Sequence, residues 1–102
     1  MKVTEVIWTT EALKDLDSIY DFISEGSIAA AGKIITAILE RGDQLEKHPE
    51  SGQKQETLRE VNHNPYRYLI EGNYKIIYNY RGSVIYIITV FDTRQDPTKL
   101  KT

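Results

Sequence analysis

The apolar residues of this chain change their period once, and that change limits what the chain can fold into. Before His48 they recur every three or four positions, as on one face of a helix; after the turn-like Pro49-Glu50-Ser51-Gly52 they alternate, as in strands. Helices therefore come early and strands late, and the two groups have to bury their apolar faces on each other. Val3-Thr4-Glu5-Val6-Ile7-Trp8 is short, β-branched and aromatic and reads as an opening strand. Thr9-Thr10 then offers an N-cap, with Glu11 in the first turn of a helix beginning near it. Ala12, Leu13, Leu16, Ile19, Tyr20 and Ile23 form its buried stripe, which ends at Gly26. Ser27 caps a second helix, whose stripe runs through Ile28, Ala31, Ile34, Ile35, Ile38, Leu39 and Leu45 until His48-Pro49 stops it. So short a connection makes the two helices a hairpin.

The alternating half contains four candidate strands: Leu58–Val61, Tyr66–Ile70, Tyr74–Tyr80 and Val84–Phe91. Glu71-Gly72-Asn73 and Arg81-Gly82-Ser83 are short enough for antiparallel hairpin turns. Tyr74, Ile76, Tyr78 and Tyr80 share one face, opposite Lys75, Ile77 and Asn79, so this strand is expected to be buried mainly on one side. Val84–Phe91 is apolar on both faces and is expected to be central. The order β-α-α-β-β-β predicts an α+β fold, with the helical hairpin packed on one face of a small antiparallel sheet.

At 102 residues the chain has room for one core, and with no cysteine that core has to hold without disulfides. No run of eighteen apolar residues occurs, and the first residues lack the order of a signal peptide, so a cytoplasmic protein without membrane contact is expected. A net charge of −2 argues against a uniformly cationic nucleic-acid binder. The charge is uneven, however: residues 1–52 carry five basic and ten acidic residues, and residues 53–102 carry eight basic and five acidic. An anionic partner would meet the second half, although solvated faces produce such imbalances as well.

Catalytic constellations are scarce. His48 and His63 each stand within two residues of a proline, without metal-ligand spacing around them, and read as solvated loop residues. Asp92 and Asp96 flank a strand end beside Pro97, where turn formation accounts for them. There is no GxSxG, phosphate loop or dinucleotide fingerprint, so neither cofactor nor metal is expected. The remaining feature is a set of cations, Arg59, Arg67, Lys75, Arg81 and Arg94, interleaved with Tyr66, Tyr68, Tyr74 and Tyr78. Cations on separate strands can converge on a phosphate while tyrosines stack on bases. Equally, tyrosine favours strands and arginine covers their edges.

Read in order, Ile7-Trp8-Thr9-Thr10-Glu11-Ala12-Leu13-Lys14-Asp15-Leu16, His48-Pro49-Glu50-Ser51-Gly52, Leu58-Arg59-Glu60-Val61, Tyr66-Arg67, Tyr74-Lys75-Ile76-Ile77-Tyr78 and Val90-Phe91-Asp92-Thr93-Arg94-Gln95-Asp96-Pro97 carry a resemblance. In order and spacing they resemble the RelE/ParE superfamily of toxins from bacterial type II toxin–antitoxin systems, also called plasmid stabilisation proteins. The resemblance spans nearly the whole chain and implies a single toxin domain over residues 1–102, with the fold derived above. It also implies growth arrest, a cognate antitoxin as partner, and assembly as a homodimer or a hetero-oligomer with that antitoxin.

Function divides within the superfamily. RelE-like members are ribosome-dependent endoribonucleases acting on messenger RNA, whereas ParE-like members inhibit DNA gyrase. Lys75 matches the basic residue after the tyrosine of the family's strand motif, Arg67 a basic position on the preceding strand, and Arg94 the arginine after the last strand. With Arg59 they form the implied target-binding set. Phe91 or Asp92 stands where a histidine is frequent in ribonucleases, and the tail Pro97-Thr98-Lys99-Leu100-Lys101-Thr102 lacks their usual catalytic tyrosine. Cleavage would leave Lys75 as the one candidate base, so the resemblance favours the gyrase-inhibiting branch, with the ribonuclease or a non-toxic antitoxin-binding member as alternatives. Ile19, Ile23, Ile35 and Leu39 on the two helices are the expected antitoxin-binding residues, meeting an amphipathic helix that continues as a strand along a sheet edge.

Overall fold

The computed structural model describes residues 5–54 and 66–94. Strand β1 (Glu5–Trp8) leads into helices α1 (Thr10–Ser24) and α2 (Ile28–Asp43), and α2 tightens into a 3₁₀ turn at Gln44–Glu46. Strands β2 (Gln53–Lys54), β3 (Arg67–Glu71), β4 (Tyr74–Arg81) and β5 (Val84–Asp92) complete a five-stranded sheet of order β1-β5-β4-β3-β2. The helical hairpin lies on one face of that sheet, as the sequence predicts. Leu58–Val61, one of the expected strands, lies outside the described residues, and β2 is a two-residue pairing that no periodicity announces.

Thr9 and Ser27 cap the helices: Thr9 Oγ1 accepts from the Ala12 N–H at 3.3 Å and Ser27 Oγ from the Ala30 N–H at 3.1 Å. Two-residue turns join β3 to β4 and β4 to β5, with Gly72 and Gly82 at φ of 59° and 61°. Ala12, Leu16, Ile38 and Leu45 meet Leu69, Ile76, Tyr78, Ile85, Ile87 and Val90 in the core between hairpin and sheet. No helix among the described residues is long and apolar enough to cross a membrane.

Two expectations need correction. The sheet is mixed rather than wholly antiparallel, because β1 pairs in parallel with β5, Glu5 opposite Val84 and Trp8 opposite Ile87. Parallel neighbours require a long crossover, and the hairpin together with β2–β4 supplies it. The second correction concerns β4, which is buried on both faces rather than mainly one: Ile77 is fully buried and Asn79 is 2% exposed. Each stands in register with a tyrosine, Ile77 opposite Tyr68 of β3 and Asn79 opposite Tyr86 of β5. As expected, β5 is interior, between β1 and β4.

The β4–β5 register slips after Ile77, which faces Thr89, whereas Tyr78 faces Ile87, leaving Ile88 as the extra residue of a bulge. Here β1 also ends and stops covering the edge of β5. The backbone N–H and Oγ1 of Thr9 take the Ile87 carbonyl, at 3.1 and 2.7 Å, and Oδ2 of Asp15 on α1 accepts from the Val90 N–H at 3.0 Å and from Thr89 Oγ1 at 2.6 Å. A helical side chain thereby satisfies a backbone donor that the short strand leaves open.

Candidate functional site

The Pro49–Gly52 turn is held by residues of the sheet. Tyr78 donates its hydroxyl to the Pro49 carbonyl at 2.9 Å and accepts from the Gly52 N–H at 3.1 Å. Arg67 Nη1 donates to the Gly52 carbonyl at 2.9 Å, and Nη2 stands 3.8 Å from Glu50 Oε1. A Cβ on residue 52 would come within 2.5 Å of the Tyr78 hydroxyl and 2.6 Å of the Tyr68 carbonyl oxygen, so only glycine lets the turn approach so closely. Burial pushes the Tyr78 phenol up from its ordinary pKa, against the lowering effect of the Gly52 N–H and Arg67.

On the sheet face opposite the helices the side chains have a different character. Lys75 Nζ lies 4.0 Å from the centre of the Tyr68 ring, and the Arg81 guanidinium lies 5.5 Å from that of Tyr86. Burial lowers the pKa of the Lys75 amine. Alternation along β4 places Asn79 between Lys75 and Arg81, and neither Nδ2 nor Oδ1 of this buried amide has a hydrogen-bond partner. Two cation–tyrosine pairs thus flank an unsatisfied amide, and this face is the candidate target-contact surface.

Arg94 lies elsewhere, just beyond β5. Its backbone N–H and Nε donate to Asp92 Oδ1 at 2.8 and 2.9 Å, and Nη2 donates to Oδ2 at 2.6 Å. The guanidinium beside Asp92 holds its carboxyl below the ordinary carboxylate range. Asp92 pairs in register with Tyr74, on the helix-bearing face, beside a groove of about 530 Å³ between α1 and the end of β5.

The cations read from the sequence therefore do not meet on one face. Arg67 pairs in register with Tyr78, whose ring is in the core, whereas Lys75 pairs with Ile70 and Phe91 on the opposite face. Arg94 is engaged by Asp92, and Arg59 lies outside the described residues. Ile19, Ile23, Ile35 and Leu39 are half-buried and turn toward the core, while the exposed large apolar residues among the described ones are Leu13, Tyr20, Phe22, Ile28 and Ile70. The alternation of β4 was the available signal for grouping Lys75 with Asn79. Asp15 gave none, because its partners lie 74 and 75 residues away. Among the described residues no three His, Asp or Glu side chains gather to hold a metal ion.

The backbone is similar to that of the chromosomal ParDE toxin–antitoxin system of P. aeruginosa, with a TM-score of 0.67 and 23% identity over 88% of this chain and 95% of that one. It is also similar to the RelBE2 toxin–antitoxin complex of Mycobacterium tuberculosis, with a TM-score of 0.60 and 20% identity over 90% and 93%. In sequence, 60 residues are 37% identical to Toxin RelE2 of Caulobacter vibrioides, covering 58% of this chain and 68% of that protein. The family model for the ParE toxin of the type II toxin–antitoxin system parDE matches residues 6–97, nearly the full length, and the chain belongs to that family.

Proposed function

We propose that this toxin arrests growth by binding and inhibiting DNA gyrase, and that a cognate antitoxin neutralises it. The observation that carries this reading is the separation of the cations. Cleaving a phosphodiester requires a base, an acid and charge stabilisation around one phosphate. Here Arg67 is committed to Gly52 and Glu50, Arg94 to Asp92, and Lys75 lies alone of the three on the helix-free face. Such an arrangement suits recognition of a protein better than proton transfer. Lys75 and Arg81 are then the target contacts, while Arg67 holds the Pro49–Gly52 turn and Arg94 the Asp92 carboxylate.

A ribosome-dependent ribonuclease is the second reading, favoured by one specific observation: burial lowers the pKa of Lys75, the direction that a lysine acting as a base requires. The two readings separate in one experiment. The purified toxin is added to a gyrase supercoiling assay, and 5′ ends of messenger RNA are mapped after induction in cells. Gyrase inhibition with intact messages is expected; codon-specific cleavage with uninhibited gyrase would reverse the conclusion.

A further inference from the structure

We propose that the buried amide of Asn79 is a contact for the toxin's target: it pairs with a peptide group in an acidic, extended segment of that protein once the Tyr86 ring beside it has turned aside. The proposal rests on the reading of the helix-free face as the target-contact surface, and it names a residue of that surface and the chemistry of the segment that meets it.

Asparagine is disfavoured in strands, and β4 is the middle strand of the five. Asn79 nevertheless stands in it, 2% exposed, with neither Nδ2 nor Oδ1 hydrogen-bonded. Among the buried side-chain polar atoms of the described residues only these two and Arg67 Nε lack a partner, and Arg67 keeps its bond to the Gly52 carbonyl through Nη1. A buried amide left unpaired weakens a fold, whereas an apolar side chain of similar size does not. Folding alone therefore gives no reason for Asn79, and its missing partners belong to another molecule.

The neighbours define that molecule. Tyr86 stands in register with Asn79 on β5, and the Arg81 guanidinium lies 5.5 Å from the centre of its ring. A carboxylate binds a guanidinium more strongly than a ring face does, so an acidic residue of the target can take Arg81 and release Tyr86. Lys75, on the same face of β4, can take a second carboxylate. Arg81 is two residues from Asn79 and Lys75 four, or about 7 and 13 Å along the strand, distances that an extended acidic segment spans. Between its carboxylates a peptide group offers one donor and one acceptor, as the amide does. A nucleobase edge has the same chemistry, but the dispersed cations that favour a protein target favour the peptide group.

Asn79→Val and Asn79→Thr, which share one shape and differ by a hydroxyl, provide the test in the full chain. Melting is followed by circular dichroism, affinity with purified DNA gyrase, and toxicity by growth after induction. Asn79→Val should melt about 4 °C or more above Asn79→Thr, bind gyrase about tenfold or more weakly than the unsubstituted chain, and relieve growth arrest. Asn79→Thr keeps a donor and an acceptor and should lose less. A valine variant that melts no higher than the threonine one overturns the proposal, because the site then satisfies a polar group within the free chain; failure of both to fold does the same. Full toxicity in Asn79→Val overturns it too, as does equal loss in both variants, which assigns the effect to shape. Loss of codon-specific messenger RNA cleavage in place of gyrase binding would give the amide to a nucleobase. A chain that arrests growth with intact messages yet binds no gyrase refutes the gyrase reading alone, and the growth and melting comparisons still decide Asn79. One that neither arrests growth nor binds gyrase overturns both.

Discussion

Single side chains in this toxin divide into those that hold the backbone and those left available to a partner. Tyr78 belongs to the first group, since its hydroxyl satisfies both Pro49 and Gly52. Replacing it with phenylalanine strands a donor and an acceptor, and a loss of about 1–3 kcal/mol in urea unfolding is expected. Arg67→Ala should cost about 1.5–3 kcal/mol through the lost bond to the Gly52 carbonyl, whereas Lys75→Ala should change stability by no more than about 0.5 kcal/mol. Toxicity discriminates in the other direction. Lys75→Ala should weaken target binding about tenfold, read as growth recovery after induction, with an unchanged melting curve. Asp92 supplies a pH signature: its pKa is depressed in the folded chain by Arg94, so the ion pair contributes above the ordinary carboxylate range and fades as pH falls through the lower native value. Carbon-detected NMR titration should show the Asp92 pKa rising in Arg94→Gln; an unmoved value would mean that the contact does not persist in solution.

At the level of elements, the hairpin and the sheet share an apolar core, and a polar contact from Asp15 ties α1 to β5 as well. Asp15 fills the backbone position that β1 leaves open when it ends at Trp8. Asp15→Ala should therefore cost about 1.5–3 kcal/mol and raise hydrogen exchange specifically at the Val90 amide. Uniform acceleration across β5 instead would show that the aspartate stabilises only by general packing. Helix N-caps and turn glycines were legible in the sequence because each is a local pattern with its own stereochemistry, whereas the apolar stripes were legible only in part, since Leu13, Tyr20 and Ile28 fit the helical period yet are exposed at the margins of the buried face. The parallel partner of β1 was not, since strand direction depends on where a crossover lands rather than on any residue of the strand. The burial of Ile77 and Asn79 was likewise hidden, because alternation gives the face of a side chain and says nothing about the tyrosines on neighbouring strands. The same limit applied to Arg67 and Lys75: both read as strand cations, and only the register separates their faces.

Among the described residues of the whole molecule charge is layered, for residues 5–52, which build β1, the hairpin and the 3₁₀ turn, carry ten acidic and four basic residues, and the described remainder, which builds most of the sheet, carries five basic and two acidic ones. Association with a basic antitoxin segment should accordingly slow as salt rises, since screening shortens from about 10 Å at 0.1 M to about 3 Å at 1 M. Stopped-flow mixing across that range checks it, and a rate independent of salt would assign encounter to apolar contact alone. The parallel pairing of β1 with β5 has one more consequence, for the timing of synthesis. The first described strand waits for the last before it has a neighbour, and Asp15 waits for Val90, so the sheet cannot close before β5 has been made. Until Val84–Asp92 emerges, the apolar stripe of α1 also lacks Ile85, Ile87 and Val90 as packing partners. The fold is therefore completed from its last described strand backwards, and a chain lacking β5 has neither the partner of β1 nor the packing surface of α1.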